Sequence, residues 1–82
     1  MAMHDRKGNT QLHYAAYGGD PRLVKALATP EMINLRNENG ETAVLLAYKN
    51  GYLEAGLELV RLGADIDIKN LLGKCARDYM PD

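Results

Sequence analysis

Apolar residues along this chain recur at the three- and four-residue spacing that predicts α-helices. We expect helices over about residues 11–17, 21–28, 43–49 and 53–62. Their apolar sides are formed by Leu12, Ala15 and Ala16 in the first segment, by Leu23, Val24 and Leu27 in the second, and by Leu57, Leu59, Val60 and Leu62 in the fourth. The order of elements is therefore turn, helix, tight loop, antiparallel helix and loop, and then the same order again.

Glycine and threonine mark the same positions in successive segments. Gly8, Gly40 and Gly73 are separated by 32 and then 33 residues. The first two glycines follow short polar stretches, and the third follows the corresponding residues of its own unit. We expect all three to supply the positive φ that a tight turn needs. Thr10 and Thr42 come two residues after the first two glycines and are predicted helix N-caps. These constant offsets identify an internal repeat.

Two motifs in this register are similar to a known family. Gly-x-Thr-x-Leu-His-x-Ala-Ala-x-x-Gly at residues 8–19 and Leu-Gly-Ala-Asp-Ile-Asp at residues 62–67 resemble the ankyrin repeat, whose period is also about 33 residues. The resemblance implies an all-α solenoid of antiparallel helix pairs joined by β-turn or hairpin-like loops. It implies one domain, residues 1–82, with repeats at about 5–36 and 37–69 and a partial repeat at 70–82.

Several residues depart from the family pattern. Only His13 keeps the histidine of the motif, and we expect it to hold the turn to the helix through Thr10. Gly56 replaces an aliphatic residue of the outer helix, which costs about 1 kcal/mol in helix propensity. We therefore expect Gly56→Ala to stabilise the fold by a similar amount if this backbone is helical. The last unit has no outer helix, and its Arg77 and Asp78 indicate a polar C-terminal cap.

The composition limits the chain to one small domain of 82 residues, with an ordinary apolar share of 46%. Ten basic and eleven acidic residues give a formal net charge of −1, and without a basic excess we expect no nucleic-acid partner. No apolar run is long enough for a membrane span or a secretory signal, so we expect no membrane partner. A single cysteine favours a reducing intracellular setting, which suggests the cytoplasm.

The sequence contains no paired carboxylates in a plausible cleft, no Ser-His-Asp set and no phosphate loop. We therefore expect no enzymatic activity and no cofactor. Two minor alternatives stay open. Removal of Met1 would leave Ala2-Met3-His4 at the terminus, and such a terminus can bind Cu²⁺ or Ni²⁺ through square-planar nitrogens. Cys75 lies at a predicted helix start beside basic residues, a setting that can activate a thiol for redox chemistry.

Recognition of another protein is the function that the resemblance implies, through turn tips and the exposed sides of the inner helices. In register, the predicted binding strip consists of Arg6, Lys7, Asn9 and Tyr17 in the first unit, Glu38, Asn39, Glu41 and Lys49 in the second, and Leu71, Leu72 and Lys74 in the third. Turn tips are usually polar, so the two adjacent leucines either cover the end of the stack or anchor a partner. We predict a non-catalytic interaction module that acts as an adaptor, an inhibitor or an effector.

The small number of repeats raises the alternative of self-association. Repeats bury their faces on neighbours, and about three are normally needed for a stable stack. This chain has two full units and a partial one, and the apolar residues of its first unit have little sequence before them. We therefore expect a monomer or a weak homodimer, and we keep open a structural role in which the exposed ends of the stack associate.

Overall fold

The computed structural model describes residues 4–81. Within this range the protein is all-helical, with no β-strand, as the sequence predicts. The elements are α1 (Gln11–Gly18), α2 (Pro21–Leu27), α3 (Ala43–Lys49), α4 (Leu53–Arg61) and a short 3₁₀ helix (Ala76–Tyr79). None of the helices in residues 4–81 has the length and apolar composition that crossing a bilayer requires.

Capping side chains mark where α1, α2 and α3 begin. The hydroxyl of Thr10 accepts a hydrogen bond from the backbone N–H of His13, and Thr42 repeats this contact at the start of α3, both at 3.3 Å. The carboxylate of Asp20 caps α2, which begins with proline. α1 ends at Gly19, whose φ of +72° places it in the left-handed region that favours glycine. The predicted caps are therefore confirmed.

The helices pack in two rows. α1, α3 and the 3₁₀ helix form the inner row, while α2 and α4 pack side by side in the outer row. Their apolar faces meet in one core that continues through both repeats. Its buried aliphatic members are Leu12, Ala15, Ala16, Val24, Ile33, Ala43, Val44, Leu45, Leu46, Ala47, Ala55, Leu59 and Ala76.

The partial repeat closes the inner row with a polar surface. Its 3₁₀ helix places Ala76 against α3 in the core, although the sequence predicts an ordinary inner helix there. Arg77 pairs with Asp67 at 2.7 Å, which ties the partial repeat to the preceding loop. The carboxylate of Asp78 accepts a hydrogen bond of 2.8 Å from the backbone N–H of Cys75. This arrangement agrees with the predicted polar cap.

Close packing explains the glycine in α4. A Cβ atom at Gly56 would lie 2.6 Å from the buried ring of Tyr48 on α3. In the first repeat the two corresponding positions, 32 residues earlier, are Ala16 and Val24. The second repeat therefore has a large residue on the inner helix and a small one on the outer helix, the reverse of the first. This contact argues against the expectation that Gly56→Ala stabilises the fold, because the added methyl group would overlap the ring of Tyr48.

Candidate functional site

The three turn tips are built on the same hydrogen-bond pattern. Each begins with an Asp or Asn, three residues before the glycine, whose side-chain Oδ1 accepts from two backbone N–H groups of its own turn. Asp5 accepts from Lys7 and Asn9, Asn37 from Asn39 and Glu41, and Asn70 from Leu72 and Lys74, all at 2.9–3.0 Å. The sequence interpretation missed these residues, although their spacing of 32 and 33 residues was a visible signal.

Backbone hydrogen bonds also join one tip to the next. The N–H of Glu38 donates to the carbonyl of Lys7 at 2.8 Å, and the N–H of Leu71 donates to the carbonyl of Asn39 at 3.0 Å. These two bonds connect equivalent positions in successive repeats. Lys7, Asn39 and Leu72, which each precede a tip glycine, therefore lie in one row.

A groove of about 390 Å³ lies between the second and third tips and the inner helix α3. Five of the predicted strip residues line it together with Asn70: Asn39, Glu41, Lys49, Leu71 and Leu72. The two leucines are largely in solvent, with 71% of Leu71 and 83% of Leu72 exposed. The groove thus combines an apolar edge with the exposed amide of Asn39 and the ion pair of Lys49 with Glu41.

Nine of the eleven predicted strip residues are exposed, and two are buried. The exposed ones are Arg6, Lys7, Tyr17, Glu38, Asn39, Lys49, Leu71, Leu72 and Lys74, which we call the tip surface. Asn9 and Glu41 do not fit the expectation of a free binding surface, because the side-chain amide of Asn37 donates to both of them, at 2.9 and 3.0 Å. Glu41 also accepts from Lys49 at 3.3 Å. The side chain of Asn9 therefore joins the first two tips, whereas that of Glu41 is held within the second repeat.

His13 is a structural residue of the first repeat and connects it to the second. Its Nδ1 accepts from the backbone N–H of Thr10 at 3.0 Å, and its Nε2 donates to the carbonyl of Glu41 at 2.8 Å. This pair of contacts requires the neutral ring with the proton on Nε2. Burial lowers the pKa of His13 from its ordinary value of 6.5, which favours the same form. The structural reading of His13 agrees with these contacts.

Tyr14 on α1 is an exposed residue that the predicted strip omits. Its hydroxyl donates to the carboxylate of Asp5, and this hydrogen bond lowers the pKa of Asp5 and raises that of Tyr14. Tyr17 follows on the same side of α1, three residues later, and is also exposed. A helical pair of tyrosines was the available signal in the sequence.

The metal and redox alternatives receive little support. Within residues 4–81, no group of three or more His, Cys, Asp or Glu residues is placed to hold a metal ion. The predicted copper-binding terminus includes Ala2 and Met3, which lie outside the described residues. Cys75 is buried, so its thiol lacks the access that a redox reaction needs. The intracellular location that its presence suggests stays a prediction.

Comparison with known proteins agrees with the geometry of the tips and helix pairs. A family model described as "Ankyrin repeats (3 copies)" matches residues 1–70. The chain therefore belongs to the ankyrin-repeat family. Ankyrin repeats are in general modules of protein–protein interaction and are in general not catalytic.

Similar stretches occur in much longer proteins. The chain is 40% identical over 72 residues to human "Ankyrin repeat and SOCS box protein 2", with 85% of this chain and 11% of that protein covered. It is 41% identical over 68 residues to mouse "B-cell lymphoma 3 protein homolog", with 77% of this chain and 15% of that protein covered. The chain thus corresponds to only a small part of each relative's length.

Proposed function

We propose that this protein binds another protein, without catalysis, through the tip surface. The observation that carries the proposal is the pair of exposed leucines, Leu71 and Leu72, at the edge of the groove. Apolar side chains that project from an otherwise polar surface are typical anchors of protein–protein interfaces. Charged residues on either side would orient the partner and exclude wrong ones.

The alternative explanation of the leucines is that they cover the end of the stack. A side chain that protects a core buries most of its own surface against that core. Leu71 and Leu72 instead keep 71% and 83% of their surface in solvent, while Ala76 and Cys75 occupy the buried positions of the same repeat. Their exposure therefore supports a partner contact over a covering role.

Affinity capture with charge and leucine variants tests the proposal. The wild-type protein and a Leu71→Ser, Leu72→Ser variant are immobilised, and captured proteins are compared by mass spectrometry. We expect a specific partner to be lost from this variant and from an Arg6→Glu, Lys7→Glu variant, because both remove exposed contacts. Leu57→Ser, an exposed leucine on the outer helix α4, is the matched control and should keep the partner.

Circular dichroism checks that each variant keeps its helices. Partner binding that survives both tip-surface variants would contradict the proposal, since the contact would then lie elsewhere on the molecule.

A second candidate function is self-association through the first repeat. Tyr14 and Leu23 are 54% and 48% exposed, whereas Leu46 and Ala55, the residues 32 positions later, are buried on α3 and α4, the helices that pack against α1 and α2. The second repeat thus has these two positions buried. Within residues 4–81, no element covers the equivalent positions of the first repeat. A second copy that packs on Tyr14 and Leu23 would bury them.

Analytical ultracentrifugation over a range of concentrations tests this candidate. We expect reversible dimers that Leu23→Lys abolishes, while Leu53→Lys on α4 leaves them unchanged. A strict monomer at about 1 mM would reject self-association, because dimers weaker than this contribute almost nothing at ordinary concentrations.

A further inference from the structure

Positive charge is concentrated on the tip surface, although the chain as a whole is slightly acidic. The tip surface carries four cations, Arg6, Lys7, Lys49 and Lys74, and one exposed carboxylate, Glu38. Counting the buried Glu41 and also Asp5, which begins the first tip, this side of the molecule has a formal charge of +1. Since the whole chain has a net charge of −1, all other residues together carry −2.

Two of the three carboxylates on this side, Asp5 and Glu41, are engaged in hydrogen bonds within the repeats. Asp5 points into the first tip, where it accepts hydrogen bonds from the N–H groups of Lys7 and Asn9 and from the hydroxyl of Tyr14. Glu41 is likewise occupied by Asn37 and Lys49. Because Lys49 is paired with Glu41, a ligand that approaches the tips meets mainly Arg6, Lys7 and Lys74.

The backbone hydrogen bonds that join successive tips, which we call the ladder between tips, fix the distance from Lys7 to Leu72. Each tip consists of two chain segments joined by a backbone hydrogen bond of 2.7–3.0 Å, and adjacent tips are joined in the same way. Hydrogen-bonded chain segments lie about 4.8 Å apart, so successive tips are about 10 Å apart. Lys7 and Leu72 lie in the first and third tips of this row, so they are separated by about 20 Å.

We infer that the partner presents an acidic segment of extended chain, with carboxylates for Arg6 and Lys7 and an aliphatic side chain for Leu71 and Leu72. This inference rests on the proposed function and deepens it. An extended chain advances about 3.3 Å per residue, so acidic and aliphatic residues about six positions apart span the distance between these two ends. Lys74, which follows the leucines in the third tip, binds a further carboxylate beside the aliphatic anchor.

A protein segment fits this surface better than a nucleic acid, which is also negatively charged. Proteins that bind single strands rely on aromatic platforms for base stacking along the backbone-binding groove. The groove has two leucines at its edge and no aromatic residue among those that line it, and Tyr17 is the one aromatic member of the tip surface. Leucines match aliphatic side chains, and the cations match carboxylates.

Selection from a library of random peptides tests the inference. Peptides of about 12 residues, long enough to span about 40 Å when extended, are displayed on phage and selected on the full chain. We expect the enriched peptides to contain Asp or Glu and, about six positions away, Leu, Ile or Val. Their affinity should fall by about tenfold or more between roughly 0.05 and 0.5 M salt, because the contacts are screened.

Matched variants show where the selected peptides bind. Lys7→Glu with Lys74→Glu should weaken binding by about tenfold or more, since it reverses two cations of the tip surface. Arg22→Glu with Lys25→Glu makes the same charge change on exposed residues of α2 and should alter binding by less than about twofold. Leu71→Ser with Leu72→Ser should remove the preference for an aliphatic residue.

The remaining outcomes separate this inference from the proposed function. Peptides that require Leu71 and Leu72 but show no acidic preference would overturn the inference and leave the proposed function in place. Peptides that bind equally well to every tip-surface variant would overturn both. Failure to enrich any peptide, or tighter binding of a single-stranded oligonucleotide of about 20 nucleotides than of any peptide, would overturn the acidic-segment inference.

Discussion

Single amides and carboxylates hold the turn tips together, and at one of the three tips they are not interchangeable. Oδ1 of Asp5, Asn37 and Asn70 performs the same task in each tip, so either an aspartate or an asparagine can serve. Asn37 has a second task, because its Nδ2 donates to Asn9 and to Glu41. Only an amide can accept and donate in this way.

Exchange of Asn37 for aspartate should therefore destabilise the protein. Asn37→Asp removes two donated hydrogen bonds and places a carboxylate beside the buried Glu41, and we expect a loss of about 2 kcal/mol in the free energy of unfolding at neutral pH. Asn70→Asp is the control, because Asp5 shows that a carboxylate suits a tip, and it should change stability by less than about 0.5 kcal/mol. Urea denaturation measures both, and equal losses would contradict the second task of Asn37.

His13 should make stability depend on pH in a defined range. The pKa of His13 is lower in the folded protein than its ordinary value of 6.5, so the unfolded chain binds the extra proton more readily. The contribution of His13 is fully present above pH 6.5 and decreases as the pH falls from there through the folded pKa. We expect the free energy of unfolding to decrease in the same direction.

Denaturation at several pH values, with and without the imidazole, measures this effect. His13→Leu copies Leu45, the corresponding residue of the second repeat, and should flatten the profile just below pH 6.5. Asp5, Asp67 and Asp78, whose pKa values are lowered from 3.8 by hydrogen bonds, act only at more acidic pH. An unchanged slope in His13→Leu would show that another group titrates.

At the scale of the elements, the two repeats solve the same packing problem with different side chains. Tyr48 on α3 fills the space that Gly56 on α4 leaves open, whereas Ala16 and Val24 share the corresponding space in the first repeat. The hydroxyl of Tyr48 is buried and, among the described residues, has no hydrogen-bond partner. The ring, and not the hydroxyl, therefore accounts for the stabilising contact.

Substitutions at these two positions should reveal the fit. We expect Gly56→Ala to lower the free energy of unfolding by about 1–3 kcal/mol, because the new methyl group overlaps the ring. Tyr48→Phe keeps the ring and removes the unpartnered hydroxyl, so it should be neutral or stabilising by about 1 kcal/mol. Thermal melts of both variants test this, and a higher melting temperature for Gly56→Ala would show that helix propensity outweighs packing.

The boundaries of the elements were predictable because local chemistry decides them. Thr10, Thr42 and Asp20 cap their helices through neighbours in the chain, and Gly19 ends α1 through its own backbone freedom. The role of Gly56 was not predictable, because it depends on a ring from another helix. The same reason explains why the sequence placed Asn9 and Glu41 on the surface, because Asn37 and His13, which contact them, each lie 28 residues away.

At the scale of the whole molecule, the two repeats share one core. Leu12 and Val24 from the first repeat and Leu46 and Leu59 from the second belong to the same buried cluster. His13 and the ladder between tips add hydrogen bonds across the boundary. Neither repeat has a separate interior, so loss of one should expose the other.

Unfolding should accordingly be a single transition. We expect far-UV circular dichroism, which reports the helices, and near-UV dichroism, which reports the tyrosines, to change at the same temperature. Leu12→Ala should lower stability by about 2–5 kcal/mol and reduce hydrogen-exchange protection in α3 and α4 as well as in α1. Loss of protection confined to α1 and α2 would show that the repeats unfold independently.

The ladder between tips also has a consequence for how such a chain can change in length. Each tip offers a carbonyl to the next tip and an N–H to the preceding one at the same positions, as in the pairs Glu38 with Lys7 and Leu71 with Asn39. Duplication of residues 37–69 within the gene would therefore insert a unit whose joints on both sides already match. A larger recognition surface could be gained in this way by copying, with no new joint to evolve.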